Sequence, residues 1–286
     1  MANDQLHPAA FSGWAYRLLP LGRQLLLVPE AALMVGFVGI SVALGGSTMT
    51  GTVIVLLTIL LVARVGAIYL AQATLAAARY AEAEQIARFA NFLHPWSADT
   101  LALRGVIALM SGSQERSIWF LQRSLALFPA AAATQAALSG ALLSLGRGSA
   151  ARIAAQQALE LDPSCAVAFL YLAEAERIDG ISALEVEDTL RSGLTVAQRA
   201  DDVVALRCAL AALLLSEDRA AEVSLMLGGL DRLIEHCTPA VQARLRFRYG
   251  ELLLAHGQID RAREYLQQTV MIDVSANAGS SFSSKI

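Results

Sequence analysis

An internal repeat of about 34 residues is the feature that most restricts the folds open to this chain. Prolines recur at one fixed interval, as Pro95, Pro129 and Pro163. Glycines keep the same step, as Gly112, Gly146 and Gly180. Small residues form two further series: Ala83, Ser117 and Ala151, and then Ala90, Ser124, Ala158 and Ser192. Four interlocking series with one period indicate a repeated structural unit.

The stretch "ALELDPSCAVAFLYLAEAERIDG" at residues 158–180 shows what one step of the repeat contains. One apolar helical pattern ends at Asp162-Pro163, and a second ends at Gly180. Glycine suits the turn after a helix, and proline prevents the preceding residue from continuing one. The small residues would let paired helices approach closely. The pattern therefore predicts that each unit is a pair of antiparallel helices and that the chain is all-α.

These residues resemble the tetratricopeptide repeat (TPR), which has the same period. The clearest units are residues 98–131 and 132–165, where Gly105 occupies the glycine position of a first helix. A further copy is "RYGELLLAHGQIDRAREYLQQTV", with Gly250, Gly257 and Ala262 at motif positions. The resemblance implies an α-solenoid of about five TPR-like helical hairpins over residues 73–273. Residues 274–286 are small and polar, which predicts a disordered tail.

The sequence departs from the motif in two places. Ala78 stands where the first unit should have its turn glycine, so we expect one unbroken helix from Gly51 to Phe92, roughly 60 Å long at 1.5 Å per residue. Gly180 and Gly257 are further apart than two periods would place them. The period therefore slips between them, and the unit at about 200–237 is stretched.

The region before the repeats is suited to a membrane. Residues 31–63 carry no charged side chain, and this run is longer than one ordinary span of about 20 residues. The segment "GGSTMTG" favours a turn in the middle. We therefore predict a two-helix transmembrane hairpin over residues 29–72. Arg64 at its end is either an interfacial anchor that snorkels to the headgroups or a functional charge within the membrane.

Arginine placement predicts the orientation of the hairpin. Arg17 and Arg23 precede it, Arg64, Arg79 and Arg88 follow it, and the connecting loop is uncharged. The positive-inside rule then places both termini and the repeat array in the cytoplasm, at a bacterial inner membrane. Residues 1–28 are either a leader lying in the lipid interface or a disordered leader.

The resemblance implies a concave groove lined by the first helices of the repeats. The residues expected to line it are Ala102, Val106, Leu109, Ala136, Gly140, Leu143, Val167, Leu170, Glu174, Arg177, Arg244 and Phe247. Some family members clamp a carboxylate there with lysines and asparagines. The apolar residues here exclude such a clamp for chaperone tails and favour an apolar helix or peptide. The open alternative is a groove filled by the protein's own helices.

No residues form a catalytic or cofactor-binding motif. The four histidines and three cysteines lack metal-ligand spacing, and phosphate loops, nucleophile elbows and HExxH are absent from the sequence. The net charge of −3 gives no reason to expect nucleic acid. We therefore expect no enzyme and no cofactor.

Two functions fit these features. The first is a membrane-anchored scaffold that positions a protein partner, as an assembly factor or accessory subunit of a larger membrane complex. The alternative is an integral subunit of a transport or energy-converting complex in which the hairpin is the working part.

Overall fold

The computed structural model describes residues 48–267 together with residues 36, 38 and 39. Most of the first helix of the expected hairpin lies outside the described residues, as do the leader at residues 1–28 and the tail at residues 274–286. The described residues contain helices and no strand. The all-α prediction is confirmed for this part of the chain.

Thirteen helices follow one another within residues 48–267, joined by short turns. They are α1 (Thr48–Ala76), α2 (Tyr80–Leu93), α3 (Ala98–Met110), α4 (Gln114–Leu127), α5 (Ala132–Ser144), α6 (Gly148–Leu161), α7 (Ala166–Ile178), α8 (Ala183–Val196), α9 (Ala200–Ser216), α10 (Ala220–Leu227), α11 (Leu230–Glu235), α12 (Pro239–Ala255) and α13 (259–267).

The turn glycines behave as the repeat predicts. Gly112, Gly146, Gly180 and Gly257 all have positive φ, between 69° and 81°. In the first of these turns, the N–H of Ser113 donates to the carbonyl of Ala108 at 2.8 Å. This pattern satisfies carbonyls that the end of a helix leaves unpaired.

Small residues bring the paired helices together. Ser117 Oγ donates to the carbonyl of Gly105 at 2.8 Å, and Ser124 Oγ donates to that of Ala98 at the same distance. A Cβ on Gly105 would lie 2.6 Å from the side chain of Leu121, so a larger residue would force Leu121 to move. Four alanines of the two series have no exposed surface: Ala83, Ala90, Ala151 and Ala158.

The fourth repeat differs from the expected register by one residue. Ser192 is exposed, and the neighbouring Gly193 occupies the buried position instead. A Cβ on Gly193 would lie 2.7 Å from Phe169. The cause is one extra residue in the turn after Gly180, because α8 begins at Ala183, one position later than the repeat step from Gly148 would place it.

The expectation of an unbroken helix from Gly51 to Phe92 is wrong. Helix α1 ends at Ala76, and Ala78 adopts the left-handed conformation of a turn glycine, with φ of 61°. That conformation costs an alanine about 1–2 kcal/mol. Packing of Ala83 and Ala87 from α2 against Ala71 of α1 offsets this cost.

Helix α1 therefore has two parts. Its residues 64–76 correspond, one repeat step earlier, to Ala98–Met110, and they serve as the first helix of a repeat with α2. None of residues 51–63 is buried, and burial begins at Arg64. The expected domain boundary at residue 72 falls inside this helix. We call residues 64–97 the first repeat; with it, the described residues contain six helix pairs, one more than expected.

The slip of the period has a structural counterpart. Helices α9 and α12 have 17 residues each, where the first helices α3, α5 and α7 have 13. The second helix after α9 is divided into α10 and α11 at Gly228-Gly229, where Gly229 has φ of 73°.

The array curves until its last units meet its first. First helices α3, α5, α7 and α9 contact one another side by side, whereas second helices α2, α4, α6 and α8 make no comparable contacts with one another in the described part of the chain. The first helices therefore form the inner row of the curve. Tyr80 Oη at the start of α2 donates to the carbonyl of Ala240 in α12 at 3.3 Å, and α1 also contacts α12.

A partly buried charge cluster ties the first repeat to the second. Glu84 Oε1 lies 2.8 Å from Arg104 Nη2, 3.0 Å from Arg88 Nε and 3.6 Å from Arg116 Nη2. Arg104 also stacks over the ring of Phe120, 4.2 Å from its centroid. Burial alone would raise the pKa of Glu84, but hydrogen bonds from Arg104 and Arg88 outweigh it and hold the pKa below its ordinary value.

Replacement of Glu84 by glutamine should lower the free energy of unfolding by about 1–2 kcal/mol, because Arg104 loses its charged partner. The pair contributes fully above the ordinary pKa of 4.5, and its contribution is lost as pH falls through the lower folded-state pKa. Thermal unfolding followed by circular dichroism from pH 7 to pH 3 measures both effects. Glu82→Gln is the control, because its ion pair with Arg79 is exposed and should contribute little. Equal destabilisation by the two variants would contradict the assignment.

The closure of the array can be tested by crosslinking within one chain. Cysteines placed by Tyr80→Cys and Ala240→Cys should react with a short bismaleimide and form an intramolecular link, detected by mass spectrometry of the digested protein. The control pair is Gln114→Cys with Ala240→Cys, since Gln114 occupies the place in the second repeat that Tyr80 occupies in the first. Absence of linkage in the first pair would show that the array is open, and equal linkage in the two pairs would contradict the specific contact at Tyr80.

Candidate binding groove

The inner row of first helices contains ten of the twelve residues predicted to line the groove, and α12 contributes the other two. Half-buried side chains of the set are Ala102, Val106, Leu109, Leu143, Val167, Leu170 and Glu174. Leu109 and Leu143 pack against the cluster that contains Leu121 and Leu138. Their exposed edges form an apolar surface on neighbouring helices.

Two residues of the set are not available to a partner. Ala136 is fully buried, and Gly140 is covered by the ring of Tyr171 from α7. A Cβ on Gly140 would lie 2.7 Å from Tyr171 Cζ. At this step of the array the protein's own side chain therefore fills the space between α5 and α7.

Tyr171 is also the residue of the inner row that lies within electrostatic range of α12. Burial raises the pKa of its phenol, and the positive charge of Arg244 on α12 acts in the opposite direction. Arg244 itself is exposed. The sequence pattern identified Arg244 but missed Tyr171; the only signal was a glycine on one first helix and an aromatic residue on the next.

Arg177 and Phe247, two further residues of the predicted set, lie at the edges of the groove. Arg177 is exposed and binds Glu174 through two hydrogen bonds of 2.6 and 3.1 Å. Phe247 on α12 is 45% exposed. Leu109, Leu143 and Leu170 thus lie on neighbouring helices of the inner row. Arg177 lies at its edge, and Glu174 already neutralises its charge.

Arg64 is the first residue of the first repeat, on α1. Its side chain is buried and does not reach outward as an interfacial anchor would. It is 2% exposed, and its Nη2 donates to Ser97 Oγ at 2.6 Å. Ser97 also caps α3, because its Oγ accepts from the N–H of Thr100. No pattern in the sequence indicates that this serine binds Arg64.

Two open depressions lie outside the inner row. One, of about 430 Å³, lies between α1 and α2 and is mainly apolar, with Ala67, Leu70, Ile86 and Phe89 among its lining residues. The other, of about 240 Å³, lies near Gly228 and is lined by Asp231, Arg232 and Arg261. Within residues 48–267, no group of three His, Cys, Asp or Glu side chains is placed to hold a metal ion.

No protein-family model and no curated protein matches the sequence. Several solved structures resemble its fold. TTC0263, a thermophilic TPR protein of Thermus thermophilus, matches with a TM-score of 0.56 and 21% identity, over 67% of this chain and 99% of its own. A tetratricopeptide repeat protein of Parabacteroides merdae matches with a TM-score of 0.55 and 16% identity, over 91% of this chain and 90% of its own. PilW, a widely conserved type IV pilus biogenesis factor, matches with a TM-score of 0.54 and 17% identity, over 72% of this chain and 91% of its own.

At these identities the likeness concerns the fold alone. It agrees with the helix pairs, the regular repeat step and the left-handed turn residues seen in this chain. The described part of the chain has a TPR-type helical repeat fold.

Proposed function

We propose that this chain is a membrane-anchored TPR scaffold that positions a protein partner at the cytoplasmic face of a membrane, as an assembly factor or accessory subunit of a larger membrane complex. The observation that carries the proposal is the continuity of α1. One helix joins an apolar stretch that the protein leaves uncovered to the first helix of the repeat array.

The apolar character of α1 supports the membrane anchor. The helix over Gly51–Ala76 is long and apolar enough to cross a membrane, and its most apolar 18-residue stretch has a mean hydropathy of 2.6. It is the one such helix among the described residues. We further propose that residues 29–44 form the first helix of a hairpin with it, and that the arginines on both sides keep both termini in the cytoplasm.

The direct passage of the anchor into the array supports a positioning role. A flexible linker would let the array move freely relative to the membrane. Here α1 continues into the core that Ala71 forms with Ala87 and Leu103. The buried Arg64–Ser97 hydrogen bond adds a second attachment, between α1 and the start of α3. The orientation of the inner row would then be fixed relative to the membrane.

We propose that the partner binds the inner row through an apolar helix or peptide. The surface offered is formed by Val106 and Leu109 on α3, Leu143 on α5 and Leu170 on α7. On α12, Arg244 is near enough for its charge to act on Tyr171, and the exposed Phe247 would add to the same surface. PilW is named as a pilus biogenesis factor, and a subunit of a membrane assembly is the class of partner we propose here. The alternative, with the hairpin as the working part, is less favoured because its candidate charge, Arg64, is enclosed in the first repeat.

Site-specific photocrosslinking in intact membranes tests the scaffold. A benzophenone amino acid at Leu109 or Leu143 should capture one protein partner, and Leu109→Glu should abolish capture from position 143. The control position is Ile153, an apolar residue on a second helix that is 55% exposed. Alkaline carbonate should leave the protein in the membrane pellet. Capture of the same proteins from Ile153, or none from the groove, would contradict the partner site; release by carbonate would contradict the anchor.

A further inference from the structure

At three positions the first repeat exposes aromatic side chains where the next two repeats carry none. Phe89, Phe92 and Trp96 are 52%, 79% and 74% exposed; we call them the aromatic patch. The equivalent residues are Arg123, Ala126 and Ala130 in the second repeat, and Gln157, Glu160 and Ser164 in the third. All six are exposed as well. The repeat fold therefore tolerates polar or small residues at these positions, and the aromatics need another explanation.

The patch lies where α1 leaves the array. Helix α2 runs antiparallel to residues 64–76 of α1, so the end of α2 returns to the level of Arg64. The bond from Arg64 to Ser97, the residue after Trp96, fixes this level. The apolar depression between α1 and α2 reaches from Ala63 to Phe89 at the same end of the repeat.

The uncovered apolar surface of α1 does not stop at Arg64. The apolar run outside the first repeat extends only from Val53 to Ala63, about 16 Å of helix, whereas a hydrocarbon core is about 30 Å thick. Exposed apolar side chains continue inside the first repeat as Val65, Tyr69 and Leu70. From Val53 to Leu70 the exposed apolar surface spans about 27 Å.

We propose that the first repeat is itself set into the membrane surface, with the aromatic patch at the level of the lipid headgroups. Tryptophan is enriched at that level because its ring is apolar and its N–H is polar. Lipid would cover the depression beside Phe89, and the protein would shield Arg64, as a charge at this depth requires. This inference rests on the membrane anchor proposed above, and it names the lipid interface as the occupant of this surface.

Tryptophan quenching in the full-length chain tests the proposal. The variant Trp14→Phe/Trp119→Phe leaves Trp96 as the single tryptophan. Its matched control, Trp14→Phe/Trp96→Phe, leaves Trp119, which is 53% exposed on the second repeat. Both are reconstituted into phosphatidylcholine vesicles with acyl chains brominated near the headgroup. Trp96 should lose most of its emission to the bromolipid and resist iodide, whereas Trp119 should be quenched by iodide and not by lipid.

A second variant replaces two residues of the aromatic patch by the polar residues that the third repeat has at the equivalent positions. Phe89→Gln and Phe92→Glu, added to the single-Trp96 chain, should reduce bromolipid quenching several-fold and shift Trp96 emission to longer wavelength. Circular dichroism should stay unchanged, because the third repeat carries these residues at exposed positions. Unchanged quenching in this variant would overturn the proposal.

The remaining outcomes separate this proposal from the anchor itself. If the protein floats with the vesicles but Trp96 responds to iodide as Trp119 does, the first repeat lies in water and the proposal is wrong while the anchor stands. If neither quencher reaches Trp96, a second copy or another protein covers the patch, and the proposal is also wrong. If the protein does not float, the anchor fails as well.

Discussion

Close approach of paired helices is the constraint on which the rest of this structure depends. At each crossing one helix presents glycine, alanine or serine, and a larger residue would force the pair apart. Gly105 shows the tolerance, since a single added carbon would lie 2.6 Å from Leu121. Where serine replaces alanine, its hydroxyl binds a carbonyl of the partner helix, so its buried oxygen has a hydrogen-bond partner. Because the crossing recurs along the regular part of the array, the curvature adds up, and α12 comes back to Tyr80.

The first repeat faces a problem that inner repeats do not have. An inner repeat buries both of its sides against neighbours, whereas a terminal repeat must leave one side uncovered, and soluble arrays make that side polar. Here the uncovered side carries Tyr69, Leu70 and Phe89. Two charges of the first repeat are directed elsewhere: Glu84 binds Arg104 of the second repeat, and Arg64 binds Ser97. An apolar end of this kind requires a cover, and the adjoining apolar part of α1 suggests that the cover is lipid.

Periodic features can be predicted from the sequence, and features that depend on single contacts cannot. The turn glycines and the close crossings follow from the repeat because each places the same demand on every unit. The pattern misreads Ala78 because a missing glycine signals an absent turn only if no other residue can adopt positive φ; the packing of α2 on α1 makes alanine adopt it. It misreads Ser192 because one extra residue in a turn shifts a helix without changing its composition. It misses Tyr171 and Ser97 because each meets its partner, Gly140 or Arg64, through a single contact between distant parts of the chain.

In the proposed arrangement, the first repeat also determines how far the inner row stands from the membrane. Helix α1 leaves the array at Arg64, and the contact with α12 is at the opposite end of the repeat, at Tyr80. The stretch of α1 from Arg64 to Ala76 separates these levels by about 20 Å along the helix axis. With the aromatic patch at the headgroups, as proposed, the closing contact would stand about that far from them. A partner bound between α3 and α12 would therefore be held close to the bilayer, within reach of a membrane-embedded subunit. Lengthening α1 before Arg64 would move the anchor without altering the groove, whereas a flexible insertion at the same point would release the array from this geometry.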